Sequence, residues 1–321
     1  MLDPSASLVR NITPTNVGLA VASLLVFTVI TRYLRDPLRH VPGPLIARVT
    51  PAWLWYLSWA GVECTVLDAL HKKHGPVIRI APNEVDISDG VAVVPIYMKN
   101  GGFPKTPNYR NVDINGFPTI FSVLDSAHRA IRSRAVAPLF AQQAVAKGKP
   151  VVKQVVDAMI IELERRKAEA QGSPLDVLNL FRATFIDSVA CYLLGKSFGG
   201  VGPSRLSATA FVDDFASSGR FFLLPGWLHH YVAHWAAKWH SDREAIERST
   251  DHVEKWAAEL VDDSIRDEKR RHETYQGRLL DAGISREEVI SQVVDILFAG
   301  TDAASRILSV MTENIGTKSH V

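Results

Sequence analysis

Toward the end of the 321-residue chain, Ala299-Gly300-Thr301-Asp302-Ala303-Ala304 breaks a stretch that otherwise reads as protein interior. Val289, Ile290, Val293, Val294, Ile296, Leu297 and Phe298 precede it and are too apolar for one exposed helix face, so a helix opening at Ser285 should be buried. In a buried helix a glycine costs about 1 kcal/mol relative to alanine, and an aspartate must be desolvated or paired. Two arrangements offset those costs. In one, a small-residue face lets a flat cofactor or a diatomic ligand approach the backbone while Asp302 relays protons; residues 299, 303 and 306 share that face, with Asp302 beside them. In the other, Gly300 is a packing glycine and Asp302 pairs with Arg306 at i+4. Spacing alone slightly favours the second.

A second constellation is basic. His128-Arg129-Ala130-Ile131-Arg132-Ser133-Arg134 reads as a helix that places His128 and Arg132 one turn apart, followed by Ala137-Pro138-Leu139-Phe140-Ala141. On its own such a run is most often a solvated helix face. The only cysteines, Cys64 and Cys191, are far apart and form no C-x-x-C pair, which argues against a disulfide framework or cysteine zinc site and fits a reducing compartment. His229, His230, His234 and His240 lie close in sequence but lack an H-E-x-x-H pattern or a convincing third ligand, so no metal site is expected. Glu162/Arg165 and Glu268/Arg271 have the spacing of i,i+3 surface pairs.

The elements that must position these groups are mostly helical. Apolar residues at 151, 152, 155, 156, 159, 160 and 163 predict a helix from Val151 to Ala170, ended by Gly172-Ser173-Pro174. Further helices are expected from about Asp176 to Leu194, with Cys191 on its apolar side, and from about Asp242 to Arg271. At Ser285 a capping box with Glu288 opens the last one. Val77-Ile78-Arg79-Ile80 and Glu84-Val85-Asp86-Ile87, joined by Ala81-Pro82-Asn83, predict the one clear hairpin. Val41-Pro42-Gly43-Pro44 is a short stiff linker, and Cys64 is expected on the first helix after it. Phe221 to Trp227 interrupts two helical stretches, as a local core cluster would.

Taken together, these segments resemble the cytochrome P-450 family. The 299–304 stretch is similar to the distal-helix motif A-G-x-D/E-T-T/S, which lies over the haem and binds oxygen. Its neighbours follow in the family's order: anchor, proline-rich linker, His74-Gly75-Pro76-Val77 onward as the first strand pair, then a basic helix resembling the W-x-x-x-R helix with His128 in place of tryptophan. The resemblance implies that Arg132 and His128 donate to a haem propionate, a contact that suits arginine's forked donors, with Arg129 and Arg134 as equal candidates for a helper. It puts a membrane-dipping substrate entrance near 221–227.

Two departures matter. Ala303 stands where the family has threonine, so the hydroxyl that assists oxygen activation is missing; Thr301 is on another face and Ser305 is two residues late. No E-x-x-R helix or F-x-x-G-x-R-x-C-x-G loop follows the motif, and neither Cys64 nor Cys191 is a credible iron ligand. The chain is therefore expected to be a truncated form, without haem and inactive by itself.

With 47% hydrophobic and 22% charged residues, the composition is that of a globular protein. A formal charge of +2 with scattered basic residues makes nucleic acid an unlikely partner. From 11 to 31 no residue is charged, just enough to span a bilayer, and Arg32, Arg35, Arg39 and Arg48 follow against Arg10 before, which predicts a cytosolic body. Thr31-Arg32-Tyr33-Leu34-Arg35 has no A-x-A cleavage pattern, so an uncleaved anchor is expected over a signal peptide. The Asn11-Ile12-Thr13 sequon, so near the membrane, is expected to stay unmodified.

The expected fold is mainly α with a small β-hairpin region: a cytochrome P-450 fold ending after the distal helix, preceded by a transmembrane helix. Residues 1–40 form the anchor and flanks, and 41–321 a partial catalytic domain. The implied activity is haem monooxygenation of a lipophilic small molecule at the endoplasmic reticulum membrane, with electrons from a membrane-bound reductase, in a setting such as fungal secondary metabolism. The alternative is a non-catalytic, membrane-tethered binding protein derived from that fold.

Overall fold

A computed structural model describes residues 14–201, 208–238 and 243–318. Its contacts divide the chain into two compact units, 1–103 and 104–321.

In the first unit, α1 (Pro14–Leu34) is a 21-residue helix, about 30 Å long at 1.5 Å per residue. Leu19, Leu24, Phe27 and Ile30 along it are exposed. The sequon lies outside the described residues. After the linker come a 3-10 turn (Leu45–Arg48), α2 (Ala52–Ala60) and α3 (Glu63–His74). Cys64 therefore sits on the second helix after the linker, not the first, because Gly61 takes a left-handed φ of 71° and ends α2. β1 (Val77–Ala81) and β2 (Glu84–Ile87) pair antiparallel from Val77↔Ile87 to Ala81↔Glu84, with an irregularity between Arg79 and Ala81. Arg79 is buried and ion-paired to Asp36, and its backbone N–H donates to Pro42 O at 2.7 Å. A Cβ on Gly43 would lie 2.4 Å from Arg79 O, so the linker rests directly on β1.

The second unit is helical: α4 (Ser126–Val136), α5 (Gln142–Ala170), α6 (Val177–Val189), α7 (Ala208–Ser218), α8 (Gly226–Lys238), α9 (Arg243–Arg266), α10 (Tyr275–Asp281) and α11 (Arg286–Lys318). Asp125 and Asp176 cap α4 and α6 by accepting from Ala127 N and Asn179 N. A π turn (Ala190–Leu194) carries α6 to the predicted end.

Three boundaries depart from the periodicity. α5 starts at Gln142 and runs through Pro150, seated because Gly148 lets it close on Tyr192, whose hydroxyl donates to Leu139 O at 2.5 Å. α9 stops at Arg266, and a 3-10 segment (Glu268–Glu273) replaces its expected last turn. There the Arg271 guanidinium folds back to donate to Ser264 O and Ile265 O, both at 2.8 Å. At α11, Ser285 accepts from Glu288 N at 3.4 Å, but the Glu288 carboxylate goes to Arg132, so the capping box is half made.

One core joins α6, α7, α9, α10 and α11, and α11 packs most extensively on α6. Val289, Val293, Val294 and Leu297 are fully buried, each contributing about 1.5–3 kcal/mol. Burial covers only the first part of α11: Ile307, Val310, Met311 and Ile315 are exposed, contrary to the expectation for the whole helix. Val177–Leu194 is apolar enough to cross a membrane, but more than half of it is buried in this core.

Candidate functional site: the open face of α11

On α11 the helix period sorts the motif residues. Ala299 and Ala303 are exposed, as is Arg306 just beyond them. Thr301 and Ser305 point into the core, where their hydroxyls donate to Leu297 O at 2.6 Å and Asp302 O at 2.9 Å. Neither can stand in for the hydroxyl that Ala303 lacks.

Gly300 is a packing glycine: a Cβ there would lie 2.4 Å from Val189 Cγ2 on α6. Asp302 accepts from Arg306 Nε at 2.6 Å and lies 3.6 Å from Arg182 Nη2, which also bonds Asp213 Oδ1 at 2.9 Å. Arg182 is only 1% exposed, so Asp302 faces a buried cation on one side and a solvated one on the other. Both costs are offset as in the packing arrangement, with Gly300 against α6 and Asp302 paired to Arg306. The open Ala299/Ala303 face remains available besides.

The basic helix shows a sharper contrast. Arg129 and Arg134 are exposed, whereas Arg132 is buried and forms a forked pair with Glu288, its Nη2 2.6 Å from Oε2 and its Nε on Oε1. Arg132 Nη1 donates to His128 O at 3.1 Å, and His128 Nε2 lies 3.4 Å from Glu288 Oε1. Burial raises the Glu288 carboxyl, but Arg132's hydrogen bonds and charge, with His128's charge, outweigh it and hold it below the ordinary range. The donor set fits a carboxylate, since one sits in it.

Two acids on α11 were not singled out from sequence. Glu288 was absorbed into the capping box. Asp295 lies one turn before Ala299 and two before Ala303, on their face. Burial pushes its carboxyl up to about 6 despite hydrogen bonds from the Thr119 side chain and the Phe121 backbone and the charge of Lys105. The signal was there: an acid inside Val293-Val294-Asp295-Ile296-Leu297 raises the same question as Asp302. Next to it, Gln292 accepts from Ile120 N at 3.0 Å and donates to Pro118 O at 3.2 Å, tying 118–122 to the helix.

Elsewhere, Asn111 Nδ2 donates to Phe222 O at 2.9 Å and Leu224 O at 2.7 Å, so Phe221 to Trp227 is held by a side chain that sequence reading missed. Glu162 is not an ordinary surface acid: it is buried and takes both Arg165 and Arg166, which hold it well below the usual carboxylate range, while Glu268 is exposed as expected. Cys64 is exposed, and Cys191 is partly buried with its thiol raised by burial and by Asp187. His229 is buried and held neutral by burial and by His230, His230 and His234 are exposed, and His240 lies outside the described residues. Among the described residues no three metal-ligating side chains converge.

The Cytochrome P450 family model matches residues 48–312, and the chain belongs to that family. It is 33% identical over 308 residues to the cytochrome P450 monooxygenase mfmF of Annulohypoxylon moriforme, covering 90% of this chain and 62% of the relative. It is also similar to the cytochrome P450 monooxygenase traB of Penicillium crustosum, 28% identical over 86% of this chain and 56% of the relative. With averantin hydroxylase of Aspergillus parasiticus the identity is 24% over 90% and 60%. The chain thus spans about three fifths of the length of these three relatives. The family match crosses residue 103, so both compact units contribute to it.

Proposed function

We propose that this chain supplies the oxygen-side half of a membrane-anchored haem monooxygenase acting on a lipophilic small molecule in fungal secondary metabolism. The observation that carries it is the open Ala299/Ala303 face on a helix whose first part is packed in the core and whose sequence resembles the family's distal helix. Family membership and the fungal relatives support it.

Bound haem would supply the oxidising chemistry, in which one atom of O2 enters a substrate C–H bond and the other leaves as water, with two electrons from a membrane reductase. The chain's own residues do the rest. Ala299 and Ala303 keep the helix surface low enough for a flat ring. Asp302, held by Arg306 and Arg182, is the polar group from which protons reach that face. Arg132 and His128 would hold a propionate, and Arg79 with Gly43 fixes the linker that follows the α1 anchor. Neither cysteine serves the iron: Cys64 is exposed on α3, and burial keeps the Cys191 thiol protonated.

The reduced, carbon monoxide-treated absorbance spectrum tests this. Joined to the remaining C-terminal third of the Annulohypoxylon relative, the chain should show a haem-thiolate band that Cys64→Ser and Cys191→Ser leave unchanged. A band lost in either variant would place the ligand here after all, and no haem in the joined protein would favour a non-catalytic binding protein.

A further inference from the structure

The group that resemblance assigns to a haem propionate is already engaged by the chain itself. Arg132 on α4 and Glu288 on α11 are 156 residues apart, and their side chains are 8% and 10% exposed. Both carboxylate oxygens take N–H groups of one guanidinium, the bidentate geometry in which arginine binds any carboxylate. The His128 imidazole is 3.4 Å away, with no hydrogen-bond partner for its Nε2 among the described residues. Arginine and histidine one turn apart, converging on one carboxylate, form the site a propionate would need. Glu288 therefore occupies the propionate's place chemically.

We propose that Glu288 is an internal stand-in for the haem propionate: it holds Arg132 and His128 in place before the cofactor arrives and gives them up, or shares them, when it does. Cofactor uptake is then an exchange of one carboxylate for another. The exchange has a physical rationale. A buried guanidinium with no counter-ion is costly, and removing one partner of such a pair leaves the other charge uncompensated. Glu288 prevents that in the empty protein. The same pairing makes the acid a competitor of the cofactor; Ser285 bonds the Glu288 backbone N–H rather than its carboxylate, so besides Arg132 and His128 it is the Gln292 side chain that the carboxylate must leave or keep. Arg132 keeps further N–H groups beyond the two that Glu288 takes, so sharing is geometrically open.

This rests on the haem-site reading above, and haemin titration of the protein joined to the C-terminal third of the Annulohypoxylon relative, followed by quenching of tryptophan fluorescence, separates the two. Glu288→Gln keeps the shape and removes the charge, so it should bind haemin about tenfold more tightly than the unaltered joined protein, a charged acceptor being roughly twice as strong as a neutral one. Without haemin the same variant should melt at lower temperature. That opposite sign distinguishes exchange from a merely structural pair, whose loss would weaken binding and stability together. Glu288→Asp, reaching one carbon less, should fall between. Arg132→Gln should cancel the gain in the Glu288→Gln background. If haemin affinity depends on Arg132 but is unchanged or weaker in Glu288→Gln, the exchange is wrong and the haem site stands. If it ignores Arg132 in both backgrounds, or no form takes up haemin, the exchange is overturned together with the haem-site reading.

Discussion

At the scale of single residues, the reasons for unusual side chains can be separated by substitution. Gly300→Ala gains about 1 kcal/mol of helix propensity but drives a methyl into Val189 Cγ2, and overpacking of a filled core costs about 1–3 kcal/mol. A net loss of about 1 kcal/mol in urea unfolding is expected, recovered in part by Val189→Ala; no recovery would mean that the glycine serves something other than α6. Asp295 makes a pH prediction. Its folded pKa, about 6, lies above the ordinary aspartate value of 3.8, so the folded chain binds more protons in that interval and stability falls as pH rises through it. Asp295→Asn should flatten that fall by up to about 2 kcal/mol, less because water partly reaches the side chain. Lys105, Tyr275 and Thr119 are unchanged in the variant and form the control background. Equal slopes in unfolding series from pH 4 to 7 would show that the carboxyl titrates normally. The Asp302–Arg306 pair and the Gly300 contact were legible because i+4 spacing and the cost of a helical glycine are local facts. Glu288 was not: its partner is 156 residues away, and nothing nearby shows that its carboxylate leaves the capping box.

Among elements, those governed by neighbours in sequence were the readable ones. The hairpin at 77–87 follows from alternation and a proline turn, and the π turn after α6 leaves the predicted Leu194 end intact. What altered the boundaries was side chains reaching further than a helical turn, as Arg271 does in ending α9. Asp187, 4% exposed near the end of α6, acts the same way. Its oxygens accept from Gly199 N at 2.7 Å, Val201 N at 2.8 Å and Ser197 Oγ at 3.1 Å, shaping the turn after the π segment. Asp187→Ala strands the Val201 backbone donor and leaves Gly199 N only its 3.1 Å bond to Ser197 Oγ, so a loss of about 1–3 kcal/mol is expected in denaturant melts. Asp187→Asn, keeping one acceptor oxygen, should lose less; identical losses would mean the charge matters more than the bonds.

For the whole molecule, the open question in physical terms is what covers the apolar surface that neither unit buries. On α1 the exposed residues include Val17, Leu19, Leu24, Phe27 and Ile30, and water is a poor solvent for a helix of that composition. A bilayer would remove the cost, its hydrocarbon core being about 30 Å thick against a 21-residue helix whose apolar stretch is Thr15–Thr28. Arg35 and Arg39 follow within a few residues, where the headgroups of a spanned bilayer would lie. Behind them the linker is held to β1 by the Arg79–Asp36 pair and the Gly43 contact, so the helix continues into a fixed base rather than a loose tether. The full chain should therefore stay in the membrane pellet through alkaline carbonate extraction, and a form beginning at Val41 should be largely released. Replacing Leu24 and Phe27 with lysine, which costs about 2.5–3.5 kcal/mol for each charge at a bilayer centre, should release the full chain as well. Full-length protein found in the supernatant would remove the anchor. Retention of the Val41 form would show that the folded body holds the membrane by itself.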